Sequence, residues 1–180
     1  KIDVLAEYSN VTLNIGIQSF NPQRLKEINR YNNIDEIKNC IRYACGKKSL
    51  HVGIDLIVGL PGAIVEDYDS AINIIKELNI KNVFIYPYRL EVNSFFYYSE
   101  HEKNSCAYAT IIKHMEYFES KMDSLGFENK TIYYWTKESE PKYLYAMHQM
   151  EGKEWIGIGA GAYSYIDKSV VHKEVSVQTY

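Results

Sequence analysis

The sequence contains only three cysteines in 180 residues, and this scarcity excludes a fold stapled by disulfides. Cys40, Cys45 and Cys106 form no CxxC pair and no other spacing typical of a metal site. Unpaired cysteines indicate a reducing compartment, so we expect a cytoplasmic protein. Cys40 and Cys45 lie in a helical pattern, five residues apart, and we predict that both are core-facing small hydrophobes.

Long apolar runs and an excess of one charge are also lacking. No run approaches the roughly 20 residues of a membrane-spanning helix, so we expect no transmembrane segment. The formal net charge is −3 and the charges are interspersed, which is not the basic pattern of a nucleic-acid-binding protein. The chain also begins with Lys1 rather than Met, and we expect its native amino terminus to lie upstream.

The most informative stretch is HVGIDLIVGLPG, at positions 51–62. Its apolar run, Ile54–Val58, followed at once by a Gly-Leu-Pro-Gly turn, is typical of a buried strand in a parallel sheet. Asp55 interrupts this run, and an ionised carboxylate there costs several kcal/mol unless it has a partner. Two interpretations stay open: a ligand-binding Asp at the carboxyl end of a strand, or a structural Asp held by backbone N–H groups or an Arg.

Two strands carry alternating patterns. The stretch Val11–Gln18 alternates strictly, and one of its faces consists of Thr12, Asn14, Gly16 and Gln18. The second strand places on one face Gly53, Asp55, Ile57 and Gly59. About thirty residues of helical character separate the strands, which is enough for a right-handed parallel crossover. If helices cover the apolar faces, the two polar faces line an interior that surrounds a polar ligand.

The remaining pattern predicts helices between parallel strands. The predicted elements are a helix from Asn21-Pro22 to about Asn29, a helix from about Asp35, a helix over Glu66–Asn79, a strand over Asn82–Tyr88, a helix over Asn104–Leu125 and a strand over Lys130–Trp135. The buried stripe of the longest helix is predicted to comprise Tyr108, Ile111, Ile112, Met115, Phe118, Met122 and Leu125.

A second conspicuous motif, IGIGAGAYS, occupies Ile156–Ser164. Its glycines and alanines allow a backbone to approach a ligand closely. A dinucleotide-binding fingerprint is excluded, because the third Gly lacks the required spacing and no acidic residue follows at the right distance.

Four motifs therefore occur in a fixed order: IGIQSF at Ile15–Phe20, Arg30, IDLIVGLPG at Ile54–Gly62, and IGIGAGAYS at Ile156–Ser164. Together they resemble the oxygen-independent coproporphyrinogen III oxidase family of radical S-adenosylmethionine (SAM) enzymes. The heme-chaperone branch of that family is more similar to this sequence than the oxidase itself.

The resemblance implies an α/β fold, namely the second half of a partial (β/α) radical-SAM barrel with parallel strands, followed by the start of an α+β C-terminal domain. The barrel half would span residues 1–100 and the C-terminal domain residues 101–180. The family's CxxxCxxC loop, which holds a 4Fe-4S cluster, has no counterpart among these cysteines. We therefore expect an excised, catalytically inactive portion of a longer protein, with no metal ligand of its own.

The resemblance also implies a SAM site. Gln18 and Asp55 match residues that contact the adenosyl part of SAM, with Asp55 at the ribose hydroxyls, and Arg30 matches the residue that binds the SAM carboxylate. These roles suit the chemistry, since a carboxylate accepts hydrogen bonds from a diol and a guanidinium pairs bidentately with a carboxylate. The predicted cofactor-binding set is completed by Ile57, by Arg89, whose position contacts SAM through its backbone, and by Tyr163, which stands where the chaperone branch usually has His.

As a function, the resemblance implies an oxidoreductase that cleaves SAM reductively. An electron donor would reduce the cluster, and a deoxyadenosyl radical would abstract hydrogen from a tetrapyrrole or heme substrate. The alternatives are a heme-binding or heme-transfer chaperone with vestigial SAM chemistry, a heme-modifying radical SAM methyltransferase, and an unrelated β/α enzyme in which Asp55 is structural.

Overall fold

A computed structural model describes residues 1–30, 33–90, 108–139 and 142–178. The chain divides into two compact units, Lys1–Lys142 and Tyr143–Tyr180. The predicted domain boundary near residue 100, like Cys106, lies outside the described residues, so that boundary stays a prediction. None of the helices within these ranges is long and apolar enough to cross a membrane.

The first unit is built on one five-stranded sheet with the strand order β1-β2-β3-β5-β4. Strands β1, β2 and β3 are parallel, and β5 runs antiparallel to both β3 and β4. The predicted parallel α/β fold is confirmed. The elements are α1 (Ile2–Leu5), β1 (Val11–Gln18), α2 (Pro22–Glu27), α3 (Ile34–Cys45), β2 (Leu50–Val58), α4 (Val65–Glu77), β3 (Asn82–Pro87), α5 (Tyr108–Ser124), β4 (Glu128–Asn129) and β5 (Tyr134–Thr136).

Asparagine side chains begin the two helices of the first crossover. Asn21 accepts hydrogen bonds from the backbone N–H groups of Gln23 and Arg24, and Pro22 follows it as the first helical residue. Asn33 caps α3 in the same way. These side chains satisfy N–H groups that have no partner inside a helix, so the start predicted at Asn21-Pro22 is confirmed.

The main core lies between the sheet and the helices. Alternate residues of β2 are buried there, and fully buried side chains of this kind each contribute roughly 1.5–3 kcal/mol. The core members from β2, β3, α4 and α5 include Ile54, Leu56, Val58, Val83, Ile85, Ala71, Ile72, Ile75, Phe118 and Met122. Because β2 alternates, Asp55 and Ile57 point to the opposite face of the sheet.

The predicted burial of Cys40 and Cys45 is wrong, since both thiols are exposed. Helix α3 turns Ile41 and Ala44 into the core. Cys40 immediately precedes Ile41, and Cys45 immediately follows Ala44. Each cysteine therefore lies about 100° around the helix from a buried residue.

The predicted stripe of α5 is partly wrong. Tyr108 is 83% exposed and Ile112 is 58% exposed. The buried positions of α5 are Ile111, His114, Phe118 and Met122, a narrower stripe with helical spacing. The predicted stripe did not contain His114, which is buried in the observed one.

The strand predicted over Lys130–Trp135 is a hairpin instead. The paired residues are Glu128–Asn129 and Tyr134–Thr136, and the backbone N–H of Lys130 donates to the carbonyl of Tyr134 at 2.8 Å. Four residues that were read as extended chain therefore form the connection between two short antiparallel strands.

The second unit contains a short helix and a hairpin, neither of which was predicted. Its elements are α6 (Leu144–Glu151), β6 (Tyr163–Ile166) and β7 (Ser169–His172). The two hairpin residues Asp167 and Lys168 have φ angles of 49° and 61°, the left-handed conformation that matches the twist of paired strands. Trp155 pairs with Tyr165 of β6, so the glycine-rich stretch leads into this hairpin.

Candidate functional site

The face of the parallel strands opposite the main core carries the polar residues that alternation predicted. In the strand register Asn14 lies beside Gly53, and Gly16 lies beside Asp55. Because neighbouring strands are about 4.8 Å apart, these side chains come within reach of one another.

Asp55 is half-buried and has an amide as its partner. The Asn14 side-chain N–H donates to Asp55 Oδ1. No Lys or Arg forms an ion pair with Asp55 in the part of the chain that the structure describes. Burial raises the pKa of the Asp55 carboxyl above its usual value, and the Asn14 hydrogen bond opposes this rise. The structure thus leaves Oδ2 without a described protein hydrogen bond, which suits a carboxylate that receives a ligand hydroxyl.

Gln18 and Arg30 meet at Gly16. The strand register shifts between Gly16 and Gln18, and Gln18 has a φ of 70°. The Gln18 Nε2 atom lies 2.8 Å from the point where a side chain on Gly16 would begin, so the end of the Gln18 side chain occupies the space over Gly16. The Arg30 Nη1 donates to the Gly16 carbonyl at 3.2 Å. Since Gly16 is also the register partner of Asp55, the structure brings together three of the predicted site residues.

Aromatic rings flank Asp55 on the β3 side. Phe84 is the register partner of Asp55, and Tyr86 is the partner of Ile57. The Phe84 ring stacks on Tyr134 at 4.7 Å between ring centroids and is nearly parallel to Tyr86 at 6.4 Å. Alternation along β3 carried the signal for this aromatic face, but the sequence-based prediction did not use it. Ile57 therefore contributes to an apolar wall beside the polar cluster.

The remaining two predicted residues are Arg89 and Tyr163. Arg89 follows β3 and lines a cavity of about 520 Å³ whose lining does not include Asp55, Gln18 or Arg30. Tyr163 belongs to the second unit, where its ring stacks on that of His172 at 4.2 Å. Their roles in binding SAM stay predictions.

The donors and acceptors around Gly16 fit SAM better than they fit a metal. A carboxylate, a guanidinium and an amide can receive a diol, a carboxylate and a polar base edge, respectively. Across residues 1–30, 33–90, 108–139 and 142–178, no group of three or more His, Cys, Asp or Glu side chains could hold a metal ion. The described residues therefore do not fit an iron–sulfur cluster.

Comparison with known proteins shows what this chain is similar to. Residues 1–75 match the family model described as "Radical SAM superfamily". The heme chaperone HemW of Lactococcus lactis is 28% identical, in an alignment covering 92% of this chain and 44% of the relative. The resemblance to HemN-like radical SAM proteins is confirmed. A second heme chaperone HemW, from Bacillus subtilis, is 24% identical over the same shares of both chains.

A solved structure shows the same radical SAM fold. Coproporphyrinogen III oxidase (HemN) from Escherichia coli, described as a radical SAM enzyme, is similar with a TM-score of 0.77 at 20% identity. The match covers 100% of this chain and 45% of that structure. The chain thus spans less than half the length of each of these three proteins.

Proposed function

We propose that this chain forms the SAM-binding part of a radical SAM protein that acts on a tetrapyrrole. The supporting observation is the meeting of Gln18, Arg30 and Asp55 around Gly16, inside the range that matches the radical SAM model. The names of the HemW and HemN relatives supply the tetrapyrrole part of the proposal.

Each residue of the cluster has a role in this proposal. Asp55 accepts hydrogen bonds from the ribose hydroxyls, and the amide of Asn14 fixes the orientation of the carboxylate. Arg30 binds the carboxylate of SAM from its position beside the Gly16 carbonyl. Gln18 reaches the adenosyl part, and the half-buried wall with Ile57 excludes water on one side. When bound, SAM supplies the radical chemistry of the family.

The proposal places the remaining components outside the residues described. The thiolates that hold the 4Fe-4S cluster, and the electron donor that reduces it, would come from beyond these 180 residues. The proposed setting is the reducing cytoplasm, which is supported by the exposed, unpaired thiols of Cys40 and Cys45.

The Asp55→Asn variant tests the SAM site. Losing a hydrogen bond to a charged acceptor costs about 1.5–3 kcal/mol, so we expect SAM affinity to fall roughly ten- to a hundred-fold. The fold should persist, because Asn can still accept from Asn14 and no described cation loses its partner. Calorimetric titration with SAM measures the affinity, and a thermal melt measures the stability.

The matched control is Asp123→Asn, which removes a carboxylate from the exposed end of α5 and should leave SAM affinity unchanged. A destabilised Asp55→Asn protein that binds SAM as tightly as the wild type would refute the proposal and assign Asp55 a structural role.

Heme carriage is the second candidate function, and the names of the two HemW relatives favour it. A carrier binds heme stoichiometrically without changing it, whereas an oxidase consumes coproporphyrinogen. Titration with hemin, followed by the Soret band, together with an anaerobic turnover assay separates these functions. The methyltransferase alternative predicts transfer of a methyl group from SAM to heme in the same assay.

A further inference from the structure

A buried hydrogen-bonded triad lies behind the strand that carries Asp55. His114 of α5 is only 6% exposed, and its Nδ1 is 2.9 Å from the hydroxyl oxygen of Tyr68 on α4. The same hydroxyl accepts a hydrogen bond from the backbone N–H of Gly59 at 3.0 Å. The end of β2, helix α4 and helix α5 therefore meet at one oxygen atom.

The chemistry of the three groups fixes the direction of one of the two hydrogen bonds. The Gly59 N–H can only donate, so the Tyr68 oxygen accepts from it. The Tyr68 hydroxyl can donate to His114 Nδ1 when the ring carries its proton on Nε2, or it can accept from Nδ1–H in the other tautomer. The first of these arrangements needs a neutral imidazole with its proton on Nε2.

The surroundings favour this neutral imidazole. Burial lowers the pKa of His114 below its ordinary value of 6.5, and the carboxylate of Asp67 on α4 opposes this shift. Asp67 is itself engaged from α2, by the Asn21 amide and by Arg24 at 3.5 Å. On the β2 side the residue bonded to Tyr68 is Gly59, which has no titratable side chain. Since burial is the larger effect, His114 is neutral near pH 7.

Gly59 is the residue at which β2 turns toward α4. Its φ is +82°, and a side chain on it would begin 2.6 Å from the Cγ1 atom of Ile111. Just before it, the Val58 carbonyl accepts from the backbone N–H of Tyr88 at 2.7 Å. The turn is therefore confined on both sides, and any shift of it moves the carboxyl end of β2.

We propose, in extension of the proposed function, that His114 is a positioning residue that holds the Gly59 amide through Tyr68 and so fixes the end of β2 behind the Asp55 site. In this arrangement the Tyr68 hydroxyl donates to His114 Nδ1, and protonation of His114 replaces that acceptor with a second donor facing the Tyr68 oxygen. Between its lowered pKa and 6.5 the folded protein binds fewer protons than the unfolded chain, so stability falls as the pH falls through 6.5.

Nitrogen NMR of the labelled protein tests the triad without any ligand. At pH 7 we expect His114 to be neutral with its proton on Nε2. Below pH 6.5 the Gly59 amide resonance should shift with the same midpoint as the His114 ring. A protonated Nδ1 at pH 7, or a Gly59 resonance indifferent to the His114 titration, would overturn the proposal. These two measurements need only the wild-type protein.

Substitutions then separate positioning from simple packing. Tyr68→Phe should speed hydrogen exchange at Gly59 and abolish its pH response. His114→Asn keeps an acceptor near the position of Nδ1, so it should preserve slow exchange at Gly59 while removing the pH response. Tyr117→Phe is the control, because it removes a phenol on the same helix that bonds to Asp69 instead. Equal exchange in the wild type and Tyr68→Phe would contradict the proposed bond.

SAM affinity connects the triad with the proposed function. We expect the wild type to bind SAM about fivefold more weakly when His114 is protonated, the equivalent of one net hydrogen bond, and His114→Asn to lack this change. A wild-type dependence that persists unchanged in His114→Asn would show that His114 does not act on the site. Complete absence of SAM binding by the wild type would refute the proposed function, and the NMR result would still decide the triad.

Discussion

Two glycines of the first unit place the same demand on the backbone but have different room around them. Gly59 has a φ of +82° and Gly126 a φ of +77°, a region in which side-chain-bearing residues are strained. A side chain on Gly59 would meet Ile111 at 2.6 Å, whereas nothing lies within 4 Å of the corresponding point on Gly126. Substituting each glycine by alanine therefore separates the cost of backbone strain from the cost of crowding at the end of β2.

Gly126→Ala should lower the free energy of unfolding by roughly 1–2 kcal/mol, the strain of a left-handed residue. Gly59→Ala should lower it by a further 1–3 kcal/mol or so, because an added methyl group in a packed region forces neighbouring atoms to move. Urea unfolding of both variants measures the difference. Equal losses of unfolding free energy in the two variants would mean that Ile111 of α5 moves aside at little cost and does not confine the turn.

At the residue scale, the sequence was sufficient where alternation decides and insufficient where local backbone geometry does. Asp55 and Asn14 were placed on one face because a strand pattern fixes which side each residue occupies. Gln18 has a positive φ, and its side-chain amide lies over Gly16. This conformation accompanies a shift in strand register that the residue types do not predict. The buried contact of His114 with Tyr68 depends on how two distant helices pack.

At the scale of elements, Arg24 joins α2 to the turn after β2 and to α4. Its Nη1 donates to the Pro61 carbonyl at 2.6 Å and to Glu27 at 2.7 Å, and its Nε lies 3.5 Å from Asp67. The Arg24 and Asp67 side chains are only 16% and 9% exposed. Removing one partner of such a pair leaves the other charge poorly solvated.

Arg24→Ala should therefore destabilise the protein by about 3 kcal/mol, the lower end of the range for a broken buried ion pair. Arg42→Ala is the matched control, because Arg42 bonds Glu77 on the surface, where both side chains are about half exposed. The control should lose less than about 1 kcal/mol. Chemical denaturation compares the two, and a loss for Arg24→Ala no larger than that of the control would show that water replaces its contacts.

The elements that the sequence predicted well are those that bury one face. Helices α3 and α4 each bury a regularly spaced set of apolar residues in the core, so their sequences show the helical period. Helix α6 buries no residue, and every residue of β7 is exposed, so neither leaves such a period. The hairpin at Glu128–Thr136 was missed because its strands are too short to alternate visibly.

At the scale of the whole molecule, the parallel fold was predictable because helical crossovers between apolar strands allow few arrangements. The boundary between the compact units at Lys142 was not predicted, since its position depends on how buried area is distributed along the folded chain. Nearly all buried apolar residues belong to the unit Lys1–Lys142. In the second unit the described buried residues are only Tyr143 and Ser164, while Ile156 and Ile158 are 72% and 86% exposed.

We therefore expect residues 1–142 alone to unfold in one cooperative thermal transition and residues 143–180 alone to show none. The second unit is smaller than the roughly 40 residues below which a domain needs disulfides, metals or a partner chain. It contains no cysteine, and its described residues offer no metal site. Circular dichroism melts and amide NMR spectra of the two pieces, with residues 1–180 as the reference, measure this directly. Well-dispersed resonances from the isolated 143–180 peptide would show that its hairpin and stacked aromatic rings suffice without an apolar core.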